Sequence, residues 1–415
     1  MSESFLRHTL SSSWLHGLLF CYFVVALPVE KLMASAVTLL YLLYLMLRER
    51  SLMGEAVKGV GGYWLAGALF IILGVVASDA PRISAKGAYD MLRAFAVFFV
   101  GYALSRHLLA SASAQALRVM AWVLPSLVAM LYAGFGLASG TLVFREAVMV
   151  YEAWGNLHEL GILIALVALL VAWVKESSEP GEKGVLYGVI LVGLLLMLAG
   201  TTSKGNVLGL GAALLFLFVA HRRRWRTIWR AGMVLALLGY IYLFFLFPAA
   251  CLGDLCFGHT YEARKQIYQH TLTAVQEQPW LGHGFSMFKH VSQLVIDGHQ
   301  VIMPHNVYLE MLYASGLIGT LCWGLFLFGV MKSARGVKPD VLTQNQLRFA
   351  RALRRIGMAY LVFLGVRGLV DFKLGSFEYL GAVFFCLGLY KAARVSRSGR
   401  NESMIQASFS TTERD

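Results

Sequence analysis

Apolar residues fall in long runs along most of the chain, separated by shorter polar connections. Most runs hold about 20 residues, the length that an α-helix needs to cross the hydrocarbon core of a membrane. Counting the runs predicts about twelve transmembrane helices. Their centres lie near Phe20, Leu40, Leu69, Phe98, Ser126, Val167, Leu194, Leu214, Tyr240, Leu321, Leu361 and Phe384. The pattern predicts an all-α polytopic membrane protein, with one transmembrane domain over residues 1–400 and a disordered polar tail over 401–415.

Composition and charge agree with this prediction. Hydrophobic residues make up 58% of the chain and charged residues 14%, against roughly 25% charged residues in soluble domains. The formal net charge is +13, and Lys and Arg are concentrated in alternate connections. The positive-inside rule then places both termini in the cytoplasm. The basic residues form no continuous stripe, so membrane lipids rather than nucleic acid are the expected surroundings.

One connection, residues 251–306 between the ninth and tenth predicted spans, is far longer than the others and lies on the outer side. Connections longer than about 15 residues are usually functional or have structure of their own. Thr260 is positioned to cap a helix that Pro279 ends, and Gly282 and Gly284 predict a tight turn. A second amphipathic stretch, FSMFKHVSQLV, and a turn at DGHQ follow. At the start of the connection, Cys251 and Cys256 either form a local disulfide or remain thiols.

His305 has the most informative position of the six histidines in this connection. Pro304 and Asn306 beside it mark the start of the tenth span. An imidazole at a helix N-terminus meets the positive end of the backbone dipole, which favours the neutral form that a general base requires. The alternative is that His305 only caps the helix or hydrogen-bonds a phosphate. The chain has no HExxH motif, and the spacing of His283 and His290 matches no standard metal site, so we predict no metal or other cofactor.

Several cations and polar residues are candidates to hold a phosphate. Lys204 and Ser203 lie in the short outer turn GTTSKGN at the start of a span, where amides and dipole favour an anion, although Lys204 can equally snorkel to the interface. Arg264, one turn before Tyr268, offers a planar fork to phosphate oxygens or is a solvated surface charge. Further supporting candidates are Asn306, Trp280, Gly282, Gly284, Arg82, Arg145 and Arg367, the last of which lies close to an apolar span.

Three segments between Thr201 and Gly319 together resemble the bacterial O-antigen ligases, whose superfamily also contains O-antigen polymerases. The segments are the SKG turn, YEARKQIY…QPWLGHGFSMF and PHNVYLEMLYASGLIG. The resemblance implies a GT-C-type glycosyltransferase architecture in the bacterial inner membrane, with 251–306 as a periplasmic loop. It also implies transfer of O-antigen polysaccharide from undecaprenyl diphosphate to a sugar hydroxyl of lipid A–core.

The same resemblance assigns roles to individual residues. It implies that His305 is the general base and that Arg264 and Lys204 bind the diphosphate. The family often has arginine where this chain has Lys204, so the charge is preserved there but bidentate geometry is not. A direct displacement at the anomeric carbon would invert its configuration.

Other functions stay open at this point. An O-antigen polymerase would use the same donor with a lipid-linked acceptor. A transporter of lipid-linked sugars would show inverted repeats and polar groups near the midplane, for which the sequence gives no clear sign. A scaffold protein would leave six loop histidines without a reason. The aromatic residues Trp280, Phe285, Phe288 and Tyr308 either line a substrate cavity or serve as anchors and packing.

Overall fold

The computed structural model describes most of the apolar runs and most of the long connection. It covers residues 15–20, 22–23, 31–111, 114–139, 157–177, 182–200, 204–219, 232, 251–252, 255–256, 259–296, 298–333, 343–369, 374 and 377–393. These residues are overwhelmingly helical, which confirms the all-α fold class. The main helices are α1 Lys31–Arg48, α2 Arg50–Val57, α3 Tyr63–Val76, α4 Pro81–Ser111, α5 Ala114–Ser139, α6 Leu157–Ser177, α7 Glu182–Gly200, α8 Lys204–Val219, α9 His259–Glu277, α10 Phe288–Val291, α11 Val307–Lys332, α12 Gln344–Gly368 and α13 Phe377–Ala392.

The strands described are two short antiparallel hairpins within 251–306. Strand β1 Cys251–Leu252 pairs with β2 Leu255–Cys256, and β3 Val295–Ile296 pairs with β4 His299–Gln300. In the first hairpin the backbone positions of Cys251 and Cys256 are opposite each other. Directly opposed positions have Cα atoms about 4.5–5.5 Å apart, a separation that a disulfide can bridge. The disulfide therefore stays a prediction that the backbone register permits.

Ten of the twelve predicted span centres lie inside helices, from Leu40 in α1 to Phe384 in α13. Phe20 is also helical, in the described stretch 15–20, and Tyr240 lies outside the described residues. Two of the described helices, Pro81–Leu109 and Val307–Lys332, are both long and apolar enough to cross a membrane. The other apolar helical stretches found in the described ranges are 10–17 residues long. The count of twelve spans and the GT-C-type architecture therefore stay predictions.

Helices α4 and α13 pack very closely against each other. A Cβ added at Gly101 would lie 2.4 Å from the carbonyl oxygen of Phe385, and one at Gly388 would lie 2.4 Å from that of Phe98. Small residues at such crossings let helix backbones approach closely, as they do in membrane bundles. Helix α11 packs against α3, and α12 packs against α8 and α13.

The outward faces of several helices carry large, solvent-accessible apolar side chains. Leu40 is 67% exposed, Leu65 65%, Leu196 68% and Leu321 66%. Water-soluble monomers rarely expose contiguous apolar patches of this kind. Apolar helices with such exposed faces are typical of a membrane protein.

Polar contacts gather at the two ends of the bundle. At one end, Oε2 of Glu49 lies 2.8 Å from Nε2 of His107, and Oε2 of Glu55 lies 3.5 Å from a guanidinium nitrogen of Arg106. At the other end lie the start of α8, the start of α11, the end of α12 and the connection 251–306, and this end contains the candidate residues.

Candidate functional site

The long connection is a folded unit, as its length and pattern predict. The predicted first helix is α9, although it begins at His259, so Thr260 lies inside its first turn instead of capping it. The predicted second helix is only the four residues of α10, and the DGHQ turn is the β3–β4 hairpin. Ile267 and Tyr268 of α9 are buried against Leu309 in the first turn of α11. This packing fixes α9 beside the start of α11.

The turn at 279–285 is inserted into a kink of α11. The kink lies at Gly316, whose φ of 60° and ψ of −168° break the helix. Such a break leaves backbone carbonyls and amides without their usual helical partners. Here backbone groups of the turn serve as the missing partners. The four hydrogen bonds are His283 N to Tyr313 O at 2.8 Å, Gly284 N to Ala314 O at 2.9 Å, Leu317 N to Pro279 O at 2.8 Å and Ile318 N to Trp280 O at 3.2 Å.

Glycine is required at this contact because the two backbones touch. Gly282 and Gly284 have φ values of 75° and 99°, which confirms the predicted tight turn. A Cβ at Gly282 would lie 2.6 Å from the amide nitrogen of Gly316, and a Cβ at Gly316 would lie 2.3 Å from the carbonyl carbon of Trp280. We conclude that these glycines lock the connection to α11. The sequence also suggests that Gly282 and Gly284 support the substrate site, and this stays a prediction.

Two aromatic candidates for a cavity wall are packing residues instead. Phe285 is 1% exposed, its amide donates to Gly74 O at 3.0 Å, and its ring lies against Gly74 and Phe70. Phe288 is 2% exposed and packs edge-on against Tyr313. The packing alternative is therefore confirmed for both of these rings.

At least two of the loop histidines have structural roles. His283 is buried, stacks on Tyr313 with ring centroids 4.6 Å apart, and lies 2.8 Å from Ala274 O through Nε2. His270 lies 3.2 Å from Ser292 Oγ. The argument that loop histidines would have no reason in a scaffold protein therefore fails for these two. Within the described residues, no group of three or more His, Cys, Asp or Glu side chains is placed to hold a metal ion.

His305 and Asn306 form the N-terminus of α11, and they do different things there. The Asn306 side chain is 2% exposed, and its Oδ1 accepts from Tyr308 N at 3.0 Å and Leu309 N at 3.1 Å. Asn306 is therefore the helix cap, and the capping role considered for His305 is taken by its neighbour. His305 is half-buried and has a φ of 53°. In the described ranges, Ser286 is the other non-glycine residue with positive φ.

The conformation of His305 is informative because positive φ is costly for residues other than glycine. Such strain amounts to about 1–3 kcal/mol and is concentrated at active sites and ligand clamps, where the surroundings impose it. The buried cap at Asn306 and the packed first turn of α11 supply that constraint here. The backbone of His305 is consequently held at a fixed place beside the helix N-terminus.

The starts of α8 and α11, the end of α12 and the body of α9 meet at this end of the bundle, and we call this region the helix-end junction. Arg367 near the end of α12 donates from Nε to Asn206 Oδ1 at 2.7 Å, in the first turn of α8. Arg367 is 2% exposed and Asn206 is fully buried. Since a buried guanidinium requires a partner, this pair ties α12 to the start of α8.

Hydroxyl and carboxylate groups of α9 and α11 hold the same end of α12. Tyr268 donates to Leu369 O at 3.1 Å, and Tyr308 donates to Gly365 O at 2.9 Å. Glu310, 4% exposed, accepts from the amide of Leu374 at 2.6 Å. The starts of α8 and α11, the end of α12 and the body of α9 are therefore held together by direct contacts.

The structure places some of the residues that the sequence proposes as phosphate ligands and leaves others outside its described part. Arg264 is half-buried and lies one turn before Tyr268, on the helix face that Tyr268 anchors to α12. Lys204 is the first residue of α8, which confirms its predicted place at a helix start; its side chain lies outside the described part. Arg82 is exposed in the first turn of α4, and Trp280 is 63% exposed. Ser203 and Arg145 lie outside the described residues.

Two buried polar residues at the junction were missing from the predicted site. They are Asn206, which accepts from Arg367, and Glu310, which accepts from Leu374 N. The available signal was the presence of polar residues in apolar helical runs, since such residues are expensive unless partnered. The sequence alone does not reveal which partner each one meets.

Comparison with known proteins agrees with the motifs. The family model of the O-antigen ligases matches residues 188–324, which include the starts of α8 and α11 and all of α9. An O-antigen ligase of Pseudomonas aeruginosa PAO1 is 32% identical over 160 residues, which is 38% of this chain and 37% of that relative. The match thus spans little more than a third of either protein. This central segment, which supplies much of the helix-end junction, is similar to the O-antigen ligases.

Proposed function

We propose that the protein transfers O-antigen polysaccharide from undecaprenyl diphosphate to a sugar hydroxyl of lipid A–core, with His305 as the general base. The observation that carries the proposal is His305, half-buried and with a constrained backbone, at the start of α11 in the helix-end junction. A general base must be held within hydrogen-bond reach of the proton it accepts. The capped start of α11 provides that rigidity.

The diphosphate of the donor is proposed to lie in the helix-end junction. Arg264 faces this region from α9, and the start of α8 presents its backbone amides and Lys204. Helix N-termini and guanidinium groups both stabilise phosphate oxygens. The Arg367–Asn206 pair is a positioning contact in this account, because it fixes α8 relative to α12.

The reaction is a single displacement. The acceptor oxygen forms a bond to the anomeric carbon while the bond from that carbon to the diphosphate oxygen breaks. The acceptor proton moves to the imidazole of His305, and the charge on the departing diphosphate is stabilised by Arg264 and Lys204. Attack opposite to the leaving group inverts the anomeric configuration. The residues present can perform these steps with no metal or other cofactor.

The topology belongs to the same proposal. We place the protein in the bacterial inner membrane with about twelve spans, a GT-C-type architecture and both termini cytoplasmic. The connection 251–306 and the helix-end junction then face the periplasm. Both substrates are amphiphiles, so their lipid chains stay in the bilayer while their sugars meet at this surface.

The test is transfer by purified protein supplied with an undecaprenyl-diphosphate-linked O-antigen donor and one acceptor at a time. We expect lipid A–core to be elongated and a second lipid-linked repeat to be left unchanged, in buffer containing a metal chelator. Elongation of the lipid-linked repeat alone would identify a polymerase instead. Loss of all transfer on chelation would contradict the metal-independent mechanism.

A further inference from the structure

The outward face of α12 changes from cationic to apolar along its length. In the first half of the helix its exposed and half-buried positions are Arg351, Arg354 and Arg355, and the next ones along are Met358 and Leu361. Spacings of three and four residues keep these side chains on one side of the helix. We call the three arginines the basic face. The change between Arg355 and Met358 is typical of the level at which lipid headgroups give way to hydrocarbon.

Helix α11 shows the same change at its own end. Leu325 and Phe328 are 51% and 54% exposed, and Lys332 follows one turn after Phe328, with Nζ 5.7 Å from the centre of its ring. A lysine in this arrangement lays its carbon chain along an apolar surface while its ammonium group reaches the polar layer. The end of α11 therefore marks the same kind of boundary.

Helix α13 brings the cations of α11 and α12 together. A guanidinium nitrogen of Arg354 donates to the Tyr390 hydroxyl at 3.4 Å, and its Cζ lies 5.2 Å from the centre of the Tyr390 ring. The next residue, Lys391, donates from Nζ at 3.1 Å to Oγ of Ser333, which directly follows Lys332. The ring contact restrains Arg354. Since a guanidinium has five N–H donors, one bond to a tyrosine leaves it able to bind an anion.

The sequence around the basic face is strongly positive. Residues 332–355 include seven Lys or Arg and one acidic residue. Helix α12 contains no Asp or Glu, and the single acidic residues of α11 and α13, Glu310 and Glu378, lie at the opposite ends of those helices. None of the ion pairs between described residues involves Arg351 or Arg354. The basic face is therefore complementary to an anion from outside the protein.

We propose that the basic face binds the phosphate of an anionic phospholipid in the cytoplasmic leaflet. The inference rests on the proposed topology, which places this end of the bundle at the cytoplasm. Arginine pairs its N–H donors with phosphate oxygens, and clustered cations at the cytoplasmic end of a membrane helix attract anionic lipids. Met358 and Leu361 give the acyl chains an apolar surface next to the phosphate. The site is at the opposite end of α12 from the helix-end junction, so it is separate from the proposed reaction.

The first test measures lipid binding to the purified protein by native mass spectrometry in a non-ionic detergent. The protein is titrated with phosphatidylglycerol or with phosphatidylcholine of the same acyl chains. The test variant combines Arg351→Gln with Arg354→Gln. The matched control combines Arg48→Gln with Arg50→Gln, which removes two exposed arginines on either side of Glu49. We expect the affinity for phosphatidylglycerol to fall about tenfold in the test variant and to stay unchanged in the control.

Three results would overturn the inference. Equal losses in the two double variants, or no loss in either, would show that the basic face is not the site. Phosphatidylcholine that binds as tightly as phosphatidylglycerol would show that the lipid's negative charge is not recognised. Displacement of the lipid by inorganic pyrophosphate as effectively as by phosphatidylglycerol would identify a soluble anion as the ligand.

This inference and the proposed function fail by different results. Lipid binding in detergent requires neither turnover nor orientation, so an absence of transfer would overturn the proposed function and leave the lipid site standing. Evidence that the helix-end junction faces the cytoplasm would move the basic face to the outer leaflet and overturn the assignment of the leaflet.

A second measurement uses the unmodified protein and covers variants that fail to fold. The protein in nanodiscs of phosphatidylcholine and phosphatidylglycerol is irradiated with a phosphatidylglycerol that carries a diazirine on its headgroup. We expect labelled peptides from the basic face of α12, and weaker labelling at high salt because the attraction is electrostatic. Labelling confined to peptides of other helices, or labelling of α12 that salt leaves unchanged, would overturn the inference.

Discussion

His305 and Asn306 are adjacent, yet only one of them is needed to hold the helix. Asn306 satisfies two amides of α11 and is buried, whereas the ring of His305 is half-buried and its backbone is strained. A residue that stabilises the fold does not require a strained backbone, and strain of this kind is typical of functional positions. The sequence placed both residues at the start of the helix and gave capping as the alternative role of His305, whereas the structure assigns the cap to Asn306.

Removing the cap should weaken the start of α11. Asn306→Ala leaves two buried amides without an acceptor, and we expect the free energy of unfolding to fall by about 1 kcal/mol. Asn306→Asp keeps an acceptor and favours the helix dipole, so it should keep most of the stability. Thermal unfolding in detergent measures both variants. Equal stability of Asn306→Ala and the unmodified protein would contradict the assignment of the cap.

The Arg367–Asn206 pair makes a second prediction at this scale. Asn206→Leu removes the acceptor from a buried guanidinium, and we expect it to lower the free energy of unfolding by about 1–3 kcal/mol. Asn206→Asp retains an acceptor at Oδ1 and adds an opposite charge, so it should be far less harmful. The comparison is again made by thermal unfolding. If the leucine variant were as stable as the aspartate variant, the pair would have no structural importance.

Helix α11 owes its shape to a segment outside it. The kink at Gly316 survives because residues 279–284 supply partners for the backbone groups that the kink leaves open. The kink in turn places the first three turns of α11, and with them His305, against α9. The PWLGHG and ASGLIG motifs are thus two sides of one contact.

This contact predicts different outcomes for two glycines of the same helix. Gly316→Ala must place a Cβ 2.3 Å from Trp280 at a positive φ, and we expect it to lower the free energy of unfolding by about 2 kcal/mol or more. Gly324→Ala, where nothing lies within 4 Å, should be neutral or stabilising by up to about 1 kcal/mol. Thermal unfolding in detergent tests the pair, and equal effects of the two substitutions would contradict the kink.

The whole molecule is proposed to be oriented by its charge distribution. The end with Glu49, Glu55 and Arg106 should face the cytoplasm, and the helix-end junction should face the periplasm. This orientation follows from the lysine and arginine bias of the connections and sets which compartment supplies the substrates.

Cysteine labelling in intact cells tests the orientation. In a background with Cys21, Cys251, Cys256, Cys322 and Cys386 replaced by serine, the exposed positions Lys289 and Ser51 are changed individually to cysteine. A membrane-impermeant maleimide should label Lys289→Cys in intact cells and Ser51→Cys only after permeabilisation. The reverse result would place the junction in the cytoplasm.

Local patterns in the sequence predicted much of this molecule, and long-range contacts account for the rest. Apolar runs predicted the helices, and Gly282 and Gly284 predicted the turn, because each depends on neighbouring residues. The kink at Gly316 depends on Trp280, and the Arg367–Asn206 pair joins residues 161 positions apart. No local pattern specifies which polar residues of separate helices will meet, so Asn206 and Glu310 were not predicted.

The central claim is that His305 accepts the acceptor proton at the helix-end junction. It is tested most directly by transfer with purified, folded protein, an undecaprenyl-diphosphate-linked O-antigen and lipid A–core, comparing the unmodified chain with His305→Ala. Positioned general bases contribute about 10²–10⁴-fold, so we expect a loss of that size with thermal stability retained. Transfer by His305→Ala at the unmodified rate would contradict the account.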